Sequence, residues 1–171
     1  MKNNVIGLGN SDAHLIFYTK NRPPLSIYQD LSCVKPMVNN EITHICHETG
    51  NHWRKIFNVY AKLLFELAPK GFSSWQQLRD NSLLQATSGH CLLFSPPNLS
   101  TDKSDRKLHI ILGKSYAEQL GFSQHCTWLS KDFAINSELG VIICPYFDYR
   151  QLSNIKITQL VGLIKQHNTG K

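Results

Sequence analysis

The sequence predicts an α/β fold: a single three-layer domain over residues 1–171, with about four mostly parallel strands flanked by helices on both faces. Two observations carry that prediction. Short apolar runs alternate along the chain with longer stretches of helical periodicity, the order that builds strand–helix–strand units. The last such run, Val141-Ile142-Ile143-Cys144, is apolar without alternation, as a strand buried on both faces requires.

The elements follow in order. After a polar leader, His14-Leu15-Ile16-Phe17-Tyr18 reads as the first strand, closed by Asn21-Arg22-Pro23-Pro24, where the proline pair enforces an extended turn. Residues 26–38 are too mixed to assign. Asn40 to His47 begins a helix that Gly50 interrupts. Trp53, Ile56, Phe57, Tyr60, Leu63, Leu64 and Leu67 then form the longest apolar stripe, ended by Pro69 and Gly71. Ser73 or Ser74 with Gln76 or Gln77 makes a capping box that opens a helix through Leu84. Cys91 to Phe94 is the second strand, Asn98 to Lys107 a polar surface loop, and Leu108 to Leu112 the third strand. A short helix from Tyr116 to Leu120 ends at Gly121, and residues 122–139 form a longer irregular region. The fourth strand, Val141 to Cys144, stops at Pro145. Ser153 or Asn154 caps a final helix whose face is Ile157, Leu160, Val161 and Ile164.

Composition narrows the setting. The apolar runs fall far short of the roughly 20 residues that span a bilayer, and the amino terminus lacks the apolar core of a signal peptide. Five cysteines, an odd number with no Cys-x-x-Cys pair, point to a reducing compartment, and cytoplasmic localisation is expected. The net charge of +6 permits a polyanionic partner, although lysines and arginines are spread along the chain.

In an open α/β sheet, ligands sit beyond the carboxyl ends of the strands. Four strand ends then converge on one rim and supply the candidate ligand-binding residues: Asn21 and Arg22, with Lys20; Asn98, with Ser95; Lys114 and Ser115; and Tyr146, Asp148, Tyr149 and Arg150. The loop from Pro145 to Gln151 stands out, with three aromatics, an acid, a base and an amide. Its plainer reading is a cap over the sheet edge in which Asp148 pairs with Arg150 or closes a turn.

No chemical motif is diagnostic. Gly113-Lys114-Ser115 follows a strand and precedes a helix, but a nucleoside-triphosphate loop needs a glycine five residues before Gly113, and the preceding strand supplies none. A phosphate could still rest on the amides of that helix start. His44, Cys46, His47 and His52 form the densest group of metal-ligand types, and Glu41, His44 and His47 share a helical face. They match no standard zinc spacing, so neither metal nor cofactor is expected. The catalytic candidates are Asp148, as an acid or base, and Cys144, whose place after Val-Ile-Ile and before proline favours a buried, inert thiol.

Two stretches, CPYFDYRQLSN with its following helix and RKLHIILGKSYAEQLGF, resemble an uncharacterised bacterial family, a domain of unknown function. The same stretches resemble the uracil-DNA glycosylase superfamily at the level of fold. There the third core strand runs into a glycine and a short Ala-containing helix, as Ile110 to Ala117 does here. The last strand of that superfamily delivers a His-Pro-Ser type loop, where this chain has Cys144-Pro145-Tyr146. The resemblance implies a parallel sheet between helices; the missing histidine withholds an implied activity.

Two functions are expected from these readings. One is binding of nucleic acid or a nucleotide at the strand ends, with Tyr146, Phe147 and Tyr149 stacking on bases and Arg22, Lys114 and Arg150 meeting phosphates. The other is a non-catalytic protein-interaction module using the aromatic loop 145–151.

Overall fold

The computed structural model describes residues 4–99 and 107–169, so residues 100–106 of the expected surface loop lie outside it. The strands are β1 (Gly7–Gly9), β2 (Leu15–Tyr18), β3 (Val34–Lys35), β4 (His90–Leu93), β5 (Leu108–Leu112), β6 (Thr127–Trp128), β7 (Ala134–Asn136) and β8 (Val141–Cys144). The helices are α1 (Ser26–Gln29), α2 (Glu41–Thr49), α3 (Asn51–Leu67), α4 (Trp75–Asn81), α5 (Lys114–Gln119) and α6 (Asn154–Thr169).

The four apolar runs of the sequence are β2, β4, β5 and β8, and they pair in parallel in the order β4-β2-β5-β8. The expectation of about four mostly parallel strands nevertheless describes only the centre. The sheet has eight strands, ordered β3-β1-β4-β2-β5-β8-β7-β6, and it is mixed. On one side β1 runs antiparallel to β4, with β3 parallel beyond it. On the other, β7 runs antiparallel to β8 and β6 to β7. The added strands hold two or three residues each, too few to show a period of two. In β1 the signal is further masked by glycine, a poor strand former. A Cβ on Gly7 would stand 2.3 Å from the carbonyl oxygen of Leu92, so glycine is what lets β1 close on β4.

The pleat sorts the core into two clusters. Phe17, Leu92, Ile110 and Ile142 face a first layer in which Trp53, Phe57 and Tyr60 of α3 meet Leu160 and Ile164 of α6. Ile16, Tyr18, Leu93, Ile111 and Ile143 face the other way. Among the described residues that second face is covered by α5, through Ala117, by Phe122 just after it and by Trp128 of β6. The helical cover is therefore unequal.

Gly50 ends α2 and starts α3 with φ of 82° and ψ of −153°, a conformation that favours glycine. That junction sets where α3 begins. No described helix is long and apolar enough to cross a membrane.

Candidate functional site

The path of the chain around the sheet singles out one place. β2 passes the chain to the helices of the first face, whereas its neighbour β5 passes it to α5 on the second. Adjacent strands whose continuations part in this way leave a crevice between their carboxyl ends, where open α/β folds bind ligands. A cleft of about 470 Å³ opens at the end of β2, lined by Lys20, Asn21, Arg22, Gln29, His52 and Trp53, among others. That volume lies in the range of small-molecule sites, roughly 300–1,000 Å³.

The walls of this cleft are cationic. Lys20 is exposed, and His52 stands exposed in the first turn of α3. That turn contains no acidic residue to offset the positive end of the helix dipole, and Arg54 and Lys55 follow directly. Arg22 is held in place: one nitrogen donates to the carbonyls of Tyr28 at 3.1 Å and Gln29 at 2.7 Å. Its guanidinium also lies over the Phe94 ring, 5.8 Å from the centroid. Trp53, only 1 % exposed, belongs to the core and forms the back of the cleft.

Tyr146 crosses the switch point. It leaves β8 and packs over the end of β5, with its ring 3.9 Å from where a Cβ on Gly113 would stand. Its hydroxyl reaches Nε2 of His52 at 3.2 Å, and the two rings stack with centroids 5.8 Å apart. Burial pushes this hydroxyl above its ordinary pKa, while hydrogen bonding from Thr19 and Asn21 favours its ionised form and the charge of Asp148 opposes it. Thr19 lies directly after β2 and is fully buried. Its Oγ1 makes no hydrogen bond of good geometry, although it is close enough to Tyr146 to exert that influence.

The other rim candidates fall outside this cluster. Lys114 lies over the Trp128 ring, 4.8 Å from its centroid, towards the second face, with exposed Ser115 beside it. Asn98 is exposed next to Leu99, which packs on that same second face. Asp148 shapes its own loop: its carboxylate accepts from the Arg150 amide at 2.9 Å and lies 3.7 Å from the Arg150 side chain. Tyr149 is 55 % exposed, with Lys55 and Arg150 at 5.3 and 5.7 Å from its ring centre. Phe147 corrects an expectation, because it is fully buried between Phe17 and Tyr60 and cannot stack on a base.

Cys144 is buried, its thiol donates to the carbonyl of Ile111 at 3.7 Å, and burial raises its pKa far above the ordinary thiol value. In α2, Glu41 accepts from the Tyr28 hydroxyl at 2.7 Å and from the Val38 amide at 3.1 Å, Cys46 turns into the core, and His44 and His47 are exposed. Among the described residues no three His, Cys, Asp or Glu side chains are grouped to hold a metal ion.

Residues 6–165 match the family described as "Family of unknown function (DUF6942)". The chain belongs to DUF6942. No curated protein and no solved structure matches it, so the likeness to uracil-DNA glycosylases gains no support from solved folds.

The DUF6942 match spans every strand and therefore the whole crevice. Within it, reading the sequence had missed three contributors. Thr19 carries no signal beyond its place at a strand end. Gln29 sits in a four-residue helix without periodicity. His52 had been grouped with the residues of α2, whereas the turn at Gly50 places it in the next helix, against Tyr146.

Proposed function

We propose that this DUF6942 protein binds a nucleotide-sized, phosphate-bearing ligand in the cleft at the end of β2. The observation that carries the reading is the coincidence of that cleft with the switch point between β2 and β5, together with its lining of Lys20, Arg22 and His52. Lys20 and Arg22 offer charge-assisted donors, and the first turn of α3 adds unpaired amides and a positive dipole end. A small ligand suits the cleft better than a long nucleic-acid strand, since Lys114 and Ser115 lie towards the opposite face of the sheet.

The rival protein-binding role for loop 145–151 has less to draw on. Phe147 is buried and Tyr146 is engaged with His52, which leaves Tyr149 as its one exposed ring. Five free cysteines, three of them buried, support a reducing compartment such as the cytoplasm.

Isothermal titration with inorganic pyrophosphate, 5′-nucleotides and a single-stranded oligonucleotide, each across a salt series, tests the reading. Saturable binding that weakens with salt is expected, with Lys20→Ala reducing affinity about three- to tenfold. Absence of binding at low salt overturns it. Preference for the oligonucleotide over every nucleotide shifts the ligand to nucleic acid.

A further inference from the structure

The cleft is chemically uneven. Lys20 and Arg22 bring formal charge, whereas Asn21 brings a neutral carboxamide, and the Tyr146 hydroxyl, outside the lining, is bonded to His52 within it. A carboxamide offers donors and an acceptor in one plane, and a phenol can act as either. Phosphate oxygens accept only, and cations meet them better. A donor–acceptor pair matches the edge of a nucleobase, which side-chain amides recognise by paired hydrogen bonds.

The position of Tyr146 also demands an explanation. Its hydroxyl meets Nε2 of His52 at 3.2 Å, with Thr19 and Asn21 close by. Thr19 is fully buried, yet its hydroxyl makes no hydrogen bond of good geometry. A hydroxyl that served only to fill space over Gly113 would need none of this surround, because phenylalanine would fill the same volume. The Tyr146 hydroxyl instead joins two residues that line the cleft, His52 by its 3.2 Å contact and Asn21 close by.

Building on the nucleotide reading, we infer that Asn21 is the specificity-determining residue that reads the base of the ligand, with Tyr146 and His52 as the positioning residues that hold it, while Lys20 and Arg22 take the phosphate. Such a site distinguishes a nucleotide from a base-free sugar phosphate of equal charge. It also discriminates among bases, because the wrong edge leaves a donor facing a donor.

The experiment compares 5′-AMP, 5′-GMP, 5′-CMP and 5′-UMP with ribose 5-phosphate by isothermal titration, using the full chain and the variants Tyr146→Phe, Asn21→Ala and His52→Gln. The wild-type chain is expected to bind at least one nucleotide about tenfold or more tightly than ribose 5-phosphate. Tyr146→Phe and Asn21→Ala are expected to weaken that nucleotide about three- to tenfold while moving ribose 5-phosphate less than about twofold. His52→Gln is expected to give a smaller loss with the same split. Tyr146→Phe keeps the ring, and its unfolding temperature serves as the control for folding. Equal affinity for nucleotide and sugar phosphate, or equal losses for both in the variants, overturns base reading and leaves phosphate binding standing. Binding of neither ligand overturns the nucleotide reading itself, and base reading with it.

Discussion

Nε2 of His52 and the hydroxyl of Tyr146 stand 3.2 Å apart with their rings 21° from parallel, joining residues 94 positions apart in the chain. The pair ties the first turn of α3 to the loop that leaves β8. Because β2 and β5 end between these two elements, the contact bridges the crevice where the sheet changes the direction of its connections. The three aromatics of loop 145–151 consequently have three different jobs: Tyr146 at the crevice, Phe147 in the core and Tyr149 at the surface.

That division can be measured as stability. Phe147 packs with ring centres 5.7 Å from Phe17 and 5.4 Å from Tyr60, so Phe147→Ala empties a closed core site. A loss of about 3–5 kcal/mol is expected in urea unfolding. Tyr149→Ala, at a ring 55 % exposed, should cost less than about 1 kcal/mol. Equal costs for the two would show that the loop is not anchored through Phe147.

Cysteine chemistry separates in the same way. Cys33 is exposed, whereas Cys91 and Cys144 are buried, with burial raising the Cys91 thiol to about 12 and the Cys144 thiol further. A disulfide reagent at pH 8 should modify Cys33 within minutes and leave Cys91 and Cys144 untouched until the chain unfolds. Rapid native modification of Cys144, identified by peptide mass, would restore it as a candidate nucleophile.

The four core strands were legible because each is a four- or five-residue segment made mostly of apolar residues, and α3 because Trp53 to Leu67 repeats at helical spacing. The fold class led to the strand ends, and with them to the places of Asn21, Arg22 and Tyr146 in the chain, whereas the crevice itself rests on the strand order. What escaped was set by tertiary contact. Strand β1, between β3 and β4, needs glycine because β4 lies close enough to exclude a side chain at Gly7. The roles of Thr19 and His52 depend on which groups face them across the crevice, and no local pattern records that. The apolar character of loop 145–151 was visible, but which of its rings turned inward was not.

Gly7 gives that argument a test. A Cβ there would meet the Leu92 carbonyl at 2.3 Å and the Leu93 Cα at 2.8 Å, both backbone atoms that cannot swing aside. Gly7→Ala should destabilise the fold by about 1–3 kcal/mol or more, by pushing β1 away from β4. Hydrogen exchange should show the loss first at the amides of β1 and β3. An unchanged midpoint in urea would mean that β1 contributes little to the fold.

His90 supplies a pH dependence whose sign follows from its hydrogen bond. Its Nε2 accepts from the Leu84 amide at 2.9 Å, so that nitrogen must be free of a proton in the folded chain. Burial lowers the pKa from 6.5 to about 3, and the charge of Lys70 adds to the shift. The folded value lies below the unfolded one, so this contribution to stability is complete above pH 6.5 and is lost as pH falls towards 3. In that window the unfolded chain takes up a proton that the folded chain refuses, worth about 1 kcal/mol per pH unit. Urea midpoints for the wild-type chain and His90→Gln between pH 7 and pH 4 should therefore converge as pH falls, because the carboxylates common to both cancel in the comparison. The imidazole signals of His90 should still report a neutral ring at pH 4.5, a measurement that does not depend on whether the variant folds. Parallel stability curves together with a protonated His90 at that pH would show that the ring is not locked by Leu84.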